Sequence, residues 1–365
     1  MGKPFLLLLA AAVATAQPPQ KKPGRPLVGA IRWDAWHGDR GAPGIAVQKS
    51  LGPKRWHYRL PFYARVVSDT EVSIDGASQQ VMDKEIKYAS EAGLDYWAFV
   101  AYEPDDPMSL ALKHYLASEH NADIRFCLIT EHSRWGSRDS YRERMRRFIR
   151  LMAEKSYQTV LSGRPLLYLG FIQDDGIRQR WGGIDEFRKA VDEFRAMARE
   201  GGLGNPYIVI MDFSPDRANR LREQLGADAI GCYAAQGGET AAPYANLASY
   251  AERFWERSKA TGAEVVPIVM AGWDRRPRVE RPVPWEKWQK PGVGLDKYYE
   301  APSPEALAAH LRRALEWIRA APDAAPANAT LIYAWNENDE GGWLVPTLSE
   351  GSARLDAIRQ ALKEP

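Results

Sequence analysis

The sequence predicts a single-domain α/β protein built as a (β/α)8 barrel. Eight short apolar runs rich in Val, Ile, Tyr and Trp recur along the chain, each followed by a helical pattern or a long polar insertion. Eight parallel strands suffice to close a ring, which removes the sheet edges. An open doubly wound sheet is the runner-up, but the first run is not followed by a G-x-G-x-x-G phosphate loop.

The chain of 365 residues opens with "MGKPFLLLLAAAVATAQ". Lys3, the apolar block Phe5 to Val13 and the small triplet Ala14-Thr15-Ala16 read as a secretory signal peptide cut after Ala16. A retained N-terminal anchor is the alternative. Residues 17–26, "QPPQKKPGRP", are too rich in Pro and Lys to pack and read as a tether. The barrel then occupies 27–365, in a secreted or periplasmic protein.

The strand-like runs are "VGAIRWDAW" from Val28, "DYWAFVAY" from Asp95, "IRFCLITE" from Ile124 and "PLLYLGF" from Pro165. They continue with "PYIVIMD" from Pro206, "DAIGCYAA" from Asp228, "VVPIVMAGWD" from Val265 and "LIYAWNEND" from Leu331. Helical spacing of apolar residues fills 77–92, 139–155, 185–200, 216–225, 244–261 and 303–320. Between the first strand and the first clear helix lie about 40 residues, Gly38 to Ala77, far beyond a usual connection. Such an insertion is expected to help shape a binding site.

A formal charge of +2 gives no basic field for nucleic acid. No segment reaches the roughly 18 consecutive apolar residues of a membrane span. The two cysteines, Cys127 and Cys232, fall in different predicted strands and read as buried free thiols rather than a disulfide. The six histidines show no H-x-x-x-H or comparable metal-ligand spacing.

In a (β/α)8 barrel the residues that close the strands form the functional mouth. Here they are polar and aromatic: Asp34, Trp36 and His37, then Tyr102, then Glu131, His132 and Trp135. Asp212, Tyr233, Trp273 and Asp274 follow, and the last strand adds Trp335 and Asn336. Aromatic faces stack on the apolar side of a sugar ring while carboxylates and Asn reach its hydroxyls, so this set is the expected carbohydrate-binding surface. A strand-end acid also serves to cap the next helix, and Asp212 before Ser214 fits that role as well.

Glu337 and Glu340 are spaced i, i+3, which brings both carboxyls to one side only if the chain has begun to turn. Gly341 and Gly342 make such a turn easy. Two carboxyls in one cleft do not both ionise cheaply, so one is held as an acid and the other stays a base. Glycoside cleavage needs that division.

The segment "AWNENDEGGWLVP" resembles the "NEW-x-EG-x-x-x-EP" signature of family 99 glycoside hydrolases and their wider relatives, with Asn336, Glu337, Glu340, Gly341 and Pro346 matching. "GWDRRPR" from Gly272 and "GRPLLYL" from Gly163 resemble that group's seventh-strand and fourth-strand segments. The resemblance implies a retaining (β/α)8 glycosidase that uses no metal or organic cofactor. It implies Glu337 as the base on the sugar 2-hydroxyl, forming a 1,2-anhydro intermediate, and Glu340 as the acid on the leaving oxygen. Asn338 stands where the pattern has Trp, and Val345 where it has a second Glu, so the sugar-contacting wall differs. The alternatives are a non-catalytic carbohydrate-binding or polysaccharide-assembly protein on the same barrel, or a catalytic pair of Glu131 with Asp212 or Asp274. Sugar identity, linkage and oligomeric state are not legible.

Overall fold

The computed structural model describes residues 24–363. The expected signal peptide and residues 17–23 of the expected tether lie outside the described residues. At the tether's end Arg25 donates to Asp95 at 2.7 Å, so the chain is fastened to the foot of the fold before the first strand begins.

Eight parallel strands follow: β1 Leu27–Arg32, β2 Tyr96–Val100, β3 Arg125–Glu131, β4 Arg164–Gly170, β5 Tyr207–Met211, β6 Ala229–Gly231, β7 Ile268–Met270 and β8 Ala329–Tyr333. Each overlaps one of the eight apolar runs, with β1 and β4 beginning one residue and β8 two residues before the run. Neighbours pair in chain order from β1 to β6, and β8 lies between β7 and β1.

The ring closes through a strand that changes partner. Glu264–Val265 pairs with β6, and after Pro267 the same chain pairs as β7 with β8. Pro267 has no N–H to give, and its carbonyl accepts from Leu331 N at 3.1 Å, turning the ladder toward β8. The main-chain bonds to β6 end at Val266, whose N–H donates to Ile230 at 3.0 Å. Above that level Tyr244 caps the Met270 carbonyl at 2.7 Å.

The barrel interior is filled by large side chains. Tyr96 and Tyr168 meet across it, hydroxyl to hydroxyl at 2.9 Å, and Gly29 leaves the space Tyr96 needs, since a Cβ there would lie 2.2 Å from the ring. Cys127 and Cys232 are buried and free.

Helices appear where the spacing predicts them, for example Gln79–Glu91 with Ser78 capping Val81 N, Ile184–Glu200, and Pro304–Ala320 with Ser303 capping Ala306 N. The 38–77 insertion is not an open loop. It holds the helix Ala42–Leu51, the 3-10 turn Lys54–Arg59 and a hairpin of Ala64–Ser68 with Glu71–Ile74, packed around Trp36, Val47, Leu51, Trp56, Leu60 and Ile74. Pro43 and Gly44 hide the helix from periodicity. Among the described residues no helix is long and apolar enough to cross a membrane.

Candidate active site

Beyond β8 the chain makes the turn its sequence predicts. Asn336–Glu337 pairs antiparallel with Gly342–Trp343, and the 3-10 turn Asn338–Glu340 joins them. Gly341 sits at φ +88°, and a Cβ there would lie 2.5 Å from Asp274 N; at Gly342 it would lie 2.4 Å from the Tyr333 ring. Only glycines admit so close a return. Glu337 and Glu340 therefore open into the same cavity of about 610 Å³ at the C-terminal mouth of the barrel, a size ordinary for a ligand site.

Two arginines following β7 organise the acids. Arg278 is buried and reaches four carboxylates: Asp339 at 2.6 Å, Glu286 at 3.2 Å, Glu337 at 3.4 Å, and Glu340. Arg275 donates to Glu340 at 3.0 Å and also pairs with Glu286. The second oxygen of Glu340 accepts from the Tyr333 hydroxyl. Glu337 accepts from the Tyr233 hydroxyl at 2.8 Å.

These contacts separate the pair electrostatically. Burial, reinforced by the nearby Glu340 charge, pushes the Glu337 carboxyl well above the usual carboxylate range. Burial also works to raise Glu340, but Arg278, Arg275 and the Tyr333 hydroxyl outweigh it and hold that carboxyl below its ordinary value. The setting thus favours the protonated form at Glu337 relative to Glu340 and the ionised form at Glu340. The family resemblance implies the opposite assignment, with Glu337 as the base and Glu340 as the acid.

Of the strand-end residues singled out from sequence, Tyr102, Glu131, Tyr233 and Trp273 line this cavity with the acid pair. Asp212 lies in an adjoining cavity, held by Arg217 and accepting from Ser214 N at 2.9 Å. The others face elsewhere. Trp135 is fully buried against Phe148, Phe187 and Phe194, because the chain turns back under the barrel rim after β3. Trp335 is equally buried and donates to Glu85 at 2.8 Å.

Asp34 takes part in a buried network instead of facing the cavity. It accepts from Arg32 at 2.8 Å and from Asn336 at 2.9 Å, while Asn336 accepts in turn from Trp33 N at 3.0 Å. Trp36 donates to the Asn336 carbonyl at 2.7 Å. This network ties the ends of β1 and β8 together and fixes the residue preceding Glu337. His37 is buried beside it. Asp274 is gripped by Arg59 from the insertion and by Arg276 at 2.8 Å. His132 approaches the Phe171 carbonyl at 3.2 Å.

The aromatic wall comes largely from residues outside the strand-end candidates named from sequence. Trp33 precedes Asp34 by one position and bonds Tyr102 at 2.8 Å, while Trp285 and Trp288 belong to the insertion after β7. The density of Trp in "VPWEKW" was their one sequence signal. Glu286 and Arg278 carry no signal of their own, since their meaning depends on the carboxylates they meet. Among the described residues no group of three or more His, Cys, Asp or Glu is disposed to hold a metal ion.

The fold aligns with that of a solved family 99 endo-α-mannosidase from Bacteroides thetaiotaomicron in complex with bis-tris-propane, at a TM-score of 0.53 and 14% identity, covering 92% of this chain and 95% of that one. The fold is similar to that of a family 99 glycoside hydrolase. A second structure of the Bacteroides thetaiotaomicron endo-α-mannosidase aligns at a TM-score of 0.50 and 13% identity, covering 92% of this chain and 98% of that one. Comparison of the sequence with family models and with curated proteins returns no match. At this identity the family 99 likeness is one of fold.

Proposed function

We propose that this chain is a glycoside hydrolase, exported by its N-terminal segment, that cleaves an oligosaccharide or polysaccharide by a retaining mechanism with Glu337 and Glu340. The observation that carries the reading is the meeting of two carboxyls in one aromatic-walled cavity with different partners, a tyrosine hydroxyl on Glu337 and two arginines on Glu340. A sugar ring stacks on Trp33 or Trp273 beside the pair. Glu340 takes the proton of the 2-hydroxyl as O2 closes on C1, and Glu337 gives its proton to the departing glycosidic oxygen. The Glu337 carboxylate then draws a proton from water as that water opens the 1,2-anhydro ring at C1, and Glu340 returns a proton to O2. Both acids end as they began.

A second reading has an observation of its own. Glu340 is engaged on both oxygens, and a buried ion cluster of this kind also serves to fasten a loop. On that reading the barrel binds carbohydrate without cleaving it. Incubating the mature chain with neutral polysaccharides and aryl glycosides, with products followed by mass and by NMR of the newly formed anomeric centre, separates the two. Retained configuration supports the mechanism, inversion excludes it, and binding without products favours the second reading.

A further inference from the structure

Next to the acid pair lies a smaller cavity of about 290 Å³, bounded by Gln173, Met211, Asp212 and Arg217. Phe171, Phe213 and Tyr233 line both spaces, so the two are contiguous. Phe213 is 61% exposed and Phe171 39%. Apolar rings set out at the rim of a cleft mark a surface kept for a ligand.

Phe171 is also held in a conformation that a bulky residue rarely adopts, φ +52°. The position is supported from beneath. His132 approaches its carbonyl at 3.2 Å, and the His132 ring fits only because Gly176 has no side chain, a Cβ there falling 2.2 Å from Nε2. The ring so placed packs at 5.2 Å on Tyr233, whose hydroxyl bonds Glu337. One wall thus runs from the acid to the annex.

We infer that this annex is a separate subsite for an uncharged glycosyl unit of the same chain whose bond is cut at Glu337. The inference rests on the glycosidase reading above. Phe171 and Phe213 supply the stacking face, and Gln173, exposed at the start of the helix Asp174–Trp181, supplies an amide for hydroxyls. Arg217 does not call for an anionic sugar, because Asp212 and Asp174 already neutralise it. The occupant is therefore a neutral, extended glycan.

The test uses neutral mannan, xylan and β-glucan oligosaccharides graded by length, with uronate-bearing and sulfated oligosaccharides alongside, on the wild-type chain and the Phe213→Ala, Phe213→Trp and Gln173→Ala variants. For the series that the wild type cleaves, the ratio of kcat/KM on long to short members should fall roughly tenfold in Phe213→Ala, the scale of one lost stacking contact. Gln173→Ala should lower it less, and Phe213→Trp should restore it. Unchanged length preference in both alanine variants overturns the subsite while leaving the glycosidase reading intact. A wild type that prefers uronate or sulfated chains overturns the neutral occupant. If the wild type neither binds nor cleaves any of these glycans or the wider panel of polysaccharides and aryl glycosides, the glycosidase reading fails and takes the subsite with it.

Discussion

The Tyr233 hydroxyl donates to Glu337 at 2.8 Å, joining the end of β6 to the residue just past β8. Among the described residues this bond is the one hydrogen bond to Glu337 whose donor does not also touch Glu340, so it tunes the two members of the pair separately. Burial and the Glu340 charge raise the Glu337 carboxyl, and Tyr233 and Arg278 pull it down.

The pH profile follows from that balance. On the proposed mechanism, turnover needs Glu340 ionised and Glu337 protonated. Activity is lost on the acid side as the lower apparent pKa of the pair is passed, and on the alkaline side above the upper one. Replacing Tyr233 by Phe removes a contact that lowers Glu337, so the alkaline limb of kcat/KM should move to higher pH. An unmoved limb would assign it to a different group.

The two acids should fail differently when replaced. Glu337→Gln should cost roughly a hundredfold or more on natural glycosides and much less on aryl glycosides, whose leaving groups need little protonation. Glu340→Gln should be as damaging on both kinds of substrate, since no leaving group substitutes for the lost base. The roles implied by family resemblance give the reverse pattern, so rates on the two substrate classes decide between them.

Arg278 is the common partner of Glu286, Glu337, Asp339 and Glu340. Arg278→Met should destabilise the fold by about 3–5 kcal/mol at neutral pH, the cost of stranding buried charge. Without the guanidinium the folded-state carboxyl pKa values of Glu286, Glu337 and Glu340 rise. The deficit should therefore be largest where the unfolded chain keeps those groups ionised and should shrink as pH falls. Urea unfolding at pH 7 and pH 5 measures it; an equal deficit at both would point to lost packing alone.

Two tryptophans near the same rim should behave as opposites. Trp135→Ala opens a void in the core and should cost about 3–5 kcal/mol of stability with KM preserved. Trp33→Ala should raise KM, because its ring faces the cavity and orients Tyr102. Parallel calorimetry and kinetics on both variants separate the roles.

The barrel was legible because its evidence is local: eight apolar runs and the helices between them are each visible within a dozen residues. The turn that brings Glu337 and Glu340 together was legible for the same reason, through Gly341 and Gly342. The wall of the site was harder to read. Trp135 and Trp335 stand at strand ends as Trp273 does, but only the path of the chain decides which ring faces the cavity, and period-2 alternation does not survive the end of a strand. Asp34 and Asn336 look like sugar ligands until their partners are known, and those partners lie about 300 positions apart. Charge assignment was the least legible feature, since the difference between Glu337 and Glu340 is made by arginines some 60 residues upstream.

The change of partner at Pro267 leaves the ring with a seam. Over most of its circumference the girth of the barrel mouth is set by main-chain hydrogen bonds, which fix the spacing between strands. Above Val266 no ladder joins β6 to β7, and the gap is bridged by side chains: Ala235 N to the Met270 sulfur at 3.3 Å and Tyr244 to the Met270 carbonyl. Tyr233 and Trp273 flank that gap. The distance between Tyr233, which bonds Glu337, and the Trp273 ring that lines the cavity is thus governed by side-chain volume, so a change at Met270 or Tyr244 can resize the entrance without disturbing the sheet.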